Sequence, residues 1–190
     1  MIYTPRIKSA IRFAVKTHEV YQKQKRKGKN IAYITHPLTV GLILSQARAS
    51  EDVVIAGILH DTVEDSIKEK KVTVAMLSQR FGPRVAALVD SVTEHRKSDS
   101  WAKRKREALR HIATFSHGSV LVKSGDVMAN VREIIDDYAS DGDKIFSRFH
   151  APKAKVLKNY IQVMDALRHR WPGSPLTSDL RDVRIELQRI

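Results

Sequence analysis

Several features that mark secreted and membrane proteins are missing from this sequence. It contains no cysteine, which excludes disulfide bonds and thiolate metal sites and fits a reducing compartment. No apolar run approaches the ~20 residues that a membrane-spanning helix requires. The N-terminal residues 1–6 lack the long apolar core of a secretory signal peptide. We therefore expect a soluble, cytoplasmic protein with no membrane partner.

Acidic residues are few relative to basic ones. The 190 residues include 34 Lys and Arg against 21 Asp and Glu, a formal net charge of +13 at pH 7, and the sequence pI is about 10.1. This excess indicates a polyanionic partner or substrate, which is a phosphorylated small molecule, a nucleic acid or an anionic membrane surface. Charge alone does not choose among the three.

Length and apolar content predict one folded domain. A chain of 190 residues with 42% hydrophobic residues is long enough for one well-buried core. Apolar residues recur at helical spacing, and no strand-like alternation, internal repeat or low-complexity linker stands out. We predict an all-α, single-domain protein over residues 1–190, with its core at about 1–170 and a C-terminal helix at 176–190.

Capping residues and helix breakers place some of the helix boundaries. Thr4 or Ser9 is suited to cap a first helix. Thr73 is suited to cap a short helix over 74–81, which Gly82-Pro83 would end. These boundaries are expectations that follow from local chemistry alone.

The most informative stretch is His60-Asp61-Thr62-Val63-Glu64-Asp65. It follows the apolar run 53–59, which is typical of the buried body of a helix. Polar side chains at the end of such a helix cost free energy unless they are paired or bind metal. On a continuous helix, residues four apart lie one turn apart, so His60 and Glu64 project near one edge with the equally spaced Asp61 and Asp65. The stretch is either a cluster of metal ligands and catalytic acids or a frayed acidic helix end.

Two further segments carry candidate ligands. His36 stands beside a proline at the expected start of a helix, where a stiff backbone suits a ligand but structural histidines are also common. Asp126 follows a glycine in an otherwise apolar helix and lies four residues from Asn130 on the same face. A buried acid of this kind needs a cation or a hydrogen-bond donor. The acids at 136–137 and 141–143 are predicted to lie in a following, solvated loop, because their spacing does not match a calcium loop.

The candidate ligands taken together form one plausible metal site. Two imidazoles and two carboxylates from three helices would leave room for waters, and a helical bundle can bring such side chains together. This ligand set suits manganese, iron, zinc or, less well, magnesium. Its members are His36, His60, Asp61 and Asp126.

Two basic segments offer partners for anionic groups. Residues 22–30 form a basic loop that is either a solvated charge run or a flexible clamp for phosphates, with Lys25, Arg26 and Lys27 at its centre. Residues 101–115 are predicted to form a strongly basic helix. That helix is either solvated or binds nucleic acid, although no aromatic residues are interleaved with its charges for base stacking.

The motifs together resemble those of the HD-domain phosphohydrolases. The resemblance is specifically to the stand-alone (p)ppGpp hydrolases, the small alarmone hydrolases related to the hydrolase half of the RelA/SpoT proteins. The HDTVED string is far more specific than a bare His-Asp pair. The matching pieces stand in the family's order and cover most of residues 1–170. They are Tyr33-Ile34-Thr35-His36-Pro37, Ile58-Leu59-His60-Asp61-Thr62-Val63-Glu64-Asp65-Ser66, Phe81-Gly82-Pro83 with Leu88-Val89 and Val92-Thr93, and Val122-Lys123-Ser124-Gly125-Asp126 with Asn130.

The resemblance implies a role for each candidate residue. The family's metal ligands carry over to His36, His60, Asp61 and Asp126, and Mn²⁺ is the expected ion among the divalent metals. The family's catalytic acidic pair carries over to Glu64 and Asp65, and its nucleotide-contacting asparagine to Asn130. Its Arg-Lys pair carries over to Lys25-Arg26 or to Arg26-Lys27, depending on a gap.

The implied activity is metal-assisted hydrolysis of the 3′-pyrophosphate of ppGpp or pppGpp, giving GDP or GTP and pyrophosphate, in an HD-domain helical bundle. An alternative keeps the chemistry and changes the nucleotide, for example to an adenine alarmone or a phosphorylated dinucleotide. A third hypothesis is a catalytically silent basic module that binds nucleic acid or ribosomes. The complete set of four ligands and two acids disfavours that third hypothesis, so a nucleotide is the expected partner.

Three departures from the family pattern accompany the resemblance. Ser124-Gly125-Asp126 stands where the family usually has Leu-Ala-Asp, beside the expected metal or base pocket. Ala32 stands where the family has a proline before the tyrosine. No synthetase domain follows, so the resemblance implies a hydrolase only.

Overall fold

Helices account for almost all of the regular structure. The structure is a computed structural model, and it describes residues 3–94 and 99–190. Across these residues no β-strand forms, and an isolated bridge pairs Lys25 with Ala32. The predicted all-α fold is therefore confirmed. Within the same two stretches, no helix has both the length and the apolar character needed to cross a bilayer.

The chain divides into two compact units, Met1–His95 and Arg96–Ile190. The first contains α1 Pro5–Val15, the π-helix Lys16–Tyr21, α2 Thr35–Gln46, α3 Glu51–Leu59, α4 Thr62–Asp65, the 3₁₀ turn Lys68–Lys70, α5 Val74–Phe81 and α6 Pro83–Val92. The second contains α7 Trp101–His111, the 3₁₀ turn Ile112–Thr114, α8 His117–Asp141, the 3₁₀ segment Gly142–Arg148, α9 Lys153–Arg170 and α10 Thr177–Leu187. The single-domain organisation stays a prediction.

Helix α3 is the central element of the first unit. Residues 53–59 are all buried, and the helix packs against α1, α2 and α6. Each large apolar side chain buried in this way contributes roughly 1.5–3 kcal/mol relative to an exposed one. The packing of α3 therefore fixes the position of the polar residues that begin at its C-terminal end.

Local capping chemistry sets several boundaries as predicted. Thr4 precedes α1 and its hydroxyl oxygen accepts the N–H of Ile7 at 3.2 Å. Thr73 caps α5 in the same manner through the N–H of Met76. Gly82, with φ +98°, ends α5 in a conformation that favours glycine, and Pro83 begins α6.

Helix α8 is the long helix of the second unit, and it packs against α9, α10 and the 3₁₀ segment Gly142–Arg148. The prediction of a loop at residues 136–137 and 141–143 is wrong, because α8 continues to Asp141 and the 3₁₀ segment Gly142–Arg148 follows it. Asp136 faces solvent, and Asp137 accepts a hydrogen bond from Arg148 at 2.8 Å. Neither carboxylate therefore disfavours the helical conformation. The basic helix predicted at 101–115 is present as α7 and the 3₁₀ turn that follows it.

Candidate active site

The chain turns sharply where α3 meets α4. The prediction of one continuous helix over residues 60–65 is wrong, because α3 ends at Leu59 and α4 begins at Thr62. His60 Nδ1 lies 2.8 Å from the carbonyl oxygen of Gly57, and the Thr62 hydroxyl donates to the carbonyl of Leu59 at 2.7 Å. The last carbonyl groups of a helix have no partner within it. Here the side chains of His60 and Thr62 bond two carbonyls in the last turn of α3. Asp61 lies in the turn with φ −93° and ψ −6°, a backbone region common among active-site residues.

Three predicted ligands of the first unit converge. His36 in the first turn of α2 and His60 after α3 are each only 4% exposed, and their Nε2 atoms lie 3.3 Å apart. Asp61 Oδ2 lies 3.0 Å from His60 Nε2 and 3.7 Å from His36 Nε2. The short segment between α3 and α4 and the start of α2 therefore bring two imidazole nitrogens and a carboxylate oxygen to one point.

The hydrogen bond from His60 to the backbone defines what this cluster can bind. A carbonyl oxygen only accepts, so Nδ1 of His60 carries a hydrogen and the neutral ring presents the lone pair of Nε2 to Asp61. That lone pair and a carboxylate oxygen 3.0 Å away are both acceptors, and a proton or a cation between them removes the repulsion. Two imidazoles with a carboxylate also form a donor set typical of divalent transition metals. The residues present fit a divalent metal.

Tyr33 holds the carboxylate of this cluster. Its phenol donates to Asp61 Oδ2 at 2.5 Å. Burial raises the pKa of Tyr33 well above its usual 10.0, and the nearby Asp61 carboxylate raises it further. The hydroxyl therefore remains a donor throughout the usable pH range.

The two predicted catalytic acids lie on the short helix α4. Glu64 Oε2 accepts the backbone N–H of Glu94 at 3.2 Å, and Asp65 Oδ2 accepts from the side-chain amide of Gln24 at 2.9 Å. Burial raises the pKa of Glu64, and the Asp61 carboxylate raises it further. Both acids are thus held by named donors, and Glu64 is biased towards accepting a proton.

The predicted basic loop forms a tight, ordered turn. The N–H of Arg26 donates to the carbonyl of Ile31 at 2.8 Å, next to the bridge of Lys25 with Ala32. The guanidinium of Arg26 lies over the ring of Tyr33, 5.4 Å from its centroid, while Lys25 and Lys27 are exposed. Arg26 is thereby linked through Tyr33 to the cluster of His36, His60 and Asp61.

Asp126 and Asn130 lie in the second unit, one turn apart on α8. Asp126 is 8% exposed; its Oδ2 accepts from Lys123 at 2.7 Å and its Oδ1 from Asn130 Nδ2 at 2.6 Å. The predicted pairing of these residues on one helix face is confirmed. The two donors hold the carboxylate in a fixed orientation.

The profile of the HD domain family matches residues 10–156 of the chain. The chain belongs to the HD domain family. This match covers more than half of the 190 residues, and it confirms the resemblance read from the motifs.

Two relatives of this HD-domain chain carry the same activity in their names. The zebrafish (Danio rerio) guanosine-3′,5′-bis(diphosphate) 3′-pyrophosphohydrolase MESH1 is 36% identical over 126 residues, 65% of this chain and 66% of the relative. The Xenopus tropicalis protein of the same name is 33% identical over 130 residues, 67% of this chain and 69% of the relative. In the zebrafish, mouse and human proteins, the matched part spans 66%, 64% and 65% of the relative, just under two thirds.

A solved structure gives the same picture of the fold. It is described as a metazoan orthologue of SpoT that hydrolyses ppGpp. Its TM-score with this HD-domain chain is 0.78 at 25% sequence identity, and the alignment covers 100% of this chain and 97% of that one. The predicted HD-domain fold is therefore confirmed.

Sequence reasoning missed the supporting residues of the site. Tyr33 belongs to a motif that matches the family, but nothing in its spacing indicates a hydrogen bond to Asp61, which is 28 residues away. Gln24 stood in the basic loop as an ordinary polar residue, yet it bonds Asp65. His18 is fully buried beside Gln24, and no motif singled it out. The motif signal identified the reacting groups and gave no sign of what orients them.

Proposed function

We propose that this HD-domain protein is a metal-dependent hydrolase that removes the 3′-pyrophosphate of ppGpp or pppGpp, producing GDP or GTP and pyrophosphate. The observation that carries the proposal is the convergence of His36, His60 and Asp61 inside the HD motif. The names of the MESH1 relatives support the choice of substrate. The net charge of +13 favours capture of a polyphosphate by electrostatic attraction.

His36, His60 and Asp61 would hold the divalent metal, with Asp126 as the fourth ligand implied by the family resemblance. We propose Mn²⁺ as the ion, since imidazole and carboxylate ligands both suit it. A divalent ion bound there would supply Lewis acidity, which makes a water more acidic and polarises a phosphoryl oxygen so that the phosphorus becomes more electrophilic. The chain's own contribution is the fixed orientation of the ligands: Gly57 sets the tautomer of His60 and Tyr33 sets the carboxylate of Asp61.

Glu64 would take the proton of the attacking water. A general base works best when its pKa lies near the working pH, and burial raises the pKa of Glu64 towards that range. The N–H of Glu94 holds one of its oxygens and so helps to fix the orientation of the carboxylate. Asp65 would orient the same water. As the oxygen of this water bonds to phosphorus, the bond between phosphorus and the ribose 3′ oxygen would break.

The basic loop would bind the phosphate groups of the substrate. Lys25 and Lys27 are exposed point charges on the turn, and the guanidinium of Arg26 packs over the Tyr33 ring. Positive charge placed there offsets the negative charge that develops on the phosphoryl oxygens in the transition state. Asn130 would contact the nucleotide, as the resemblance implies. We also keep the cytoplasmic location as a proposal.

The direct test measures release of pyrophosphate from ppGpp by the purified protein with Mn²⁺. We expect Asp61→Ala to lose both metal binding and turnover, and Glu64→Gln to lose turnover while binding the metal normally. Glu69→Gln changes an exposed acid on the neighbouring 3₁₀ turn and should behave as the wild type. Asp126→Ala should weaken Mn²⁺ binding.

The outcomes distinguish the proposal from its alternatives. Metal binding without turnover of ppGpp would exclude that substrate and favour another nucleotide, to be found by competition with a nucleotide panel. Absence of metal binding would overturn the ligand assignment itself. Binding to nucleic acid with a steep salt dependence and no turnover would support the silent basic module instead.

A further inference from the structure

A buried chain of hydrogen bonds leads from the catalytic acid Asp65 into the core of the first unit. The Nε2 amide nitrogen of Gln24 lies 2.9 Å from Asp65 Oδ2, and the Oε1 oxygen of the same amide lies 3.0 Å from His18 Nδ1. His18 is fully buried. The proposed mechanism uses Asp65 but assigns no part to the two residues behind it.

The donors and acceptors in the series Asp65–Gln24–His18 can be assigned in only one way. An ionised carboxylate only accepts hydrogen bonds, so the NH₂ group of Gln24 must face Asp65. The amide oxygen of Gln24 then faces His18, and His18 Nδ1 must carry the hydrogen. Burial lowers the pKa of His18, so the ring is neutral and its Nε2, which has no hydrogen-bond partner among residues 3–94 and 99–190, is unprotonated.

The backbone around Gln24 leaves its side chain little freedom. Its N–H donates to the carbonyl of His18 at 2.9 Å, and its carbonyl accepts the N–H of Tyr33 at 3.0 Å. His18 itself lies on the π-helix Lys16–Tyr21, and such short π-helical insertions often occur at functional sites. The same π-helix places Glu19 so that its Oε1 accepts the N–H of Ile34 at 3.1 Å, just before α2.

We propose that Gln24, oriented by the buried His18, is a positioning residue that holds the carboxylate of Asp65 for catalysis. The inference rests on the proposed function, in which Asp65 belongs to the catalytic pair. The hydrogen bond from Gln24 to Oδ2 of Asp65 fixes the orientation in which this carboxylate meets the reacting water. His18 acts one step further away by preventing the amide of Gln24 from turning over.

Kinetics of three variants test the role of Gln24. Because supporting residues of this kind typically change activity by about 10- to 100-fold, Gln24→Ala should lower kcat about tenfold or more. KM and the dissociation constant of Mn²⁺ should remain within about twofold of the wild type, since no metal ligand or phosphate contact is removed. Gln24→Asn, which keeps the amide but is one methylene shorter, should not restore kcat. Gln46→Ala removes an exposed glutamine from α2 of the same unit and serves as the matched control.

A double-mutant cycle separates positioning from a general loss of structure. If Gln24 acts through Asp65, adding Gln24→Ala to Asp65→Ala should cause no further fall in kcat. Equal falls of kcat in the wild-type and Asp65→Ala backgrounds would overturn the proposal, and so would an unchanged kcat in Gln24→Ala. A matched fall in the Gln46→Ala control would likewise contradict a specific role.

A measurement without substrate or metal tests the assignment of donors and acceptors in the series Asp65–Gln24–His18. Long-range ¹H–¹⁵N NMR of the metal-free protein should show His18 as the neutral tautomer with hydrogen on Nδ1. In Asp65→Ala the amide of Gln24 can turn, so a mixture of His18 tautomers is expected. Hydrogen on Nε2 of His18 in the wild type would overturn the inference. If the tautomer is as expected but the wild type does not hydrolyse ppGpp, the proposed function fails while the hydrogen-bonded chain stands.

Discussion

Replacing Tyr33 by phenylalanine removes a single oxygen atom from the site and tests how the proposed metal ligand Asp61 is held. The lost group is the phenol that donates to Asp61 Oδ2 at 2.5 Å. The ring that remains keeps its contacts with His18, 5.0 Å between centroids, and with the guanidinium of Arg26 at 5.4 Å. The variant should therefore fold normally, and its effect should fall on Asp61.

The size of the effect follows from the kind of hydrogen bond that is lost. A hydrogen bond to a charged group contributes about 1.5–3 kcal/mol, which corresponds to about 10- to 150-fold in an equilibrium constant. Part of this contribution is present with and without metal, so we expect the Mn²⁺ dissociation constant to rise about tenfold. Because burial and Asp61 keep the pKa of Tyr33 well above its usual value, the ratio of the two dissociation constants should not change across neutral pH.

Isothermal titration of Mn²⁺ into the metal-free wild type and Tyr33→Phe measures this ratio. Turnover of Tyr33→Phe should be low at limiting Mn²⁺ and should recover in large part at saturating Mn²⁺. Tyr3→Phe changes a tyrosine that is 64% exposed and should bind Mn²⁺ as the wild type does. Equal Mn²⁺ affinities for Tyr33→Phe and the wild type would refute the reasoning that Tyr33 orients a metal ligand.

Three further predictions concern the metal, an acid and the core. Chelation by EDTA should abolish turnover and lower the melting temperature, and added Mn²⁺ should restore both, because an ion that binds only the folded state stabilises it. Burial, followed by the Asp61 carboxylate, raises the pKa of Glu64 above its usual 4.5, so its ionised form destabilises the folded metal-free protein. Glu64→Gln should therefore raise the melting temperature at neutral pH, and this gain should vanish as the pH falls below about 4.5. Gly57→Ala would place a Cβ in overlap with Cδ1 of the fully buried Leu44, and denaturant unfolding should show a loss of about 1–3 kcal/mol.

The features that could be predicted from the sequence are those that neighbouring residues determine. The apolar run 53–59 predicted a buried helix, and α3 is that helix. Thr73 and Gly82 marked the limits of α5 because a cap and a left-handed residue act within one turn. The ligand candidates were found because HD motifs place chemically distinctive residues at fixed spacing.

The features that could not be predicted depend on side-chain hydrogen bonds, most of them between distant segments. The break between α3 and α4 arises from side chains of His60 and Thr62 that bond backbone carbonyls, which periodicity does not show. The bond from Gln24 to Asp65 spans 41 residues of sequence. The residues 136–137 continue α8 because Arg148, on a later segment, pairs with Asp137. In the last two cases a partner on another element overrides or completes a local preference.

Identification of the products by ³¹P NMR tests the central claim most directly. The purified protein would be incubated with ppGpp and Mn²⁺, with Glu64→Gln as the inactive control. The account predicts GDP and pyrophosphate in equal amounts, because the bond broken is the one between the ribose 3′ oxygen and phosphorus. Release of orthophosphate, or unchanged ppGpp in the presence of bound Mn²⁺, would contradict the account.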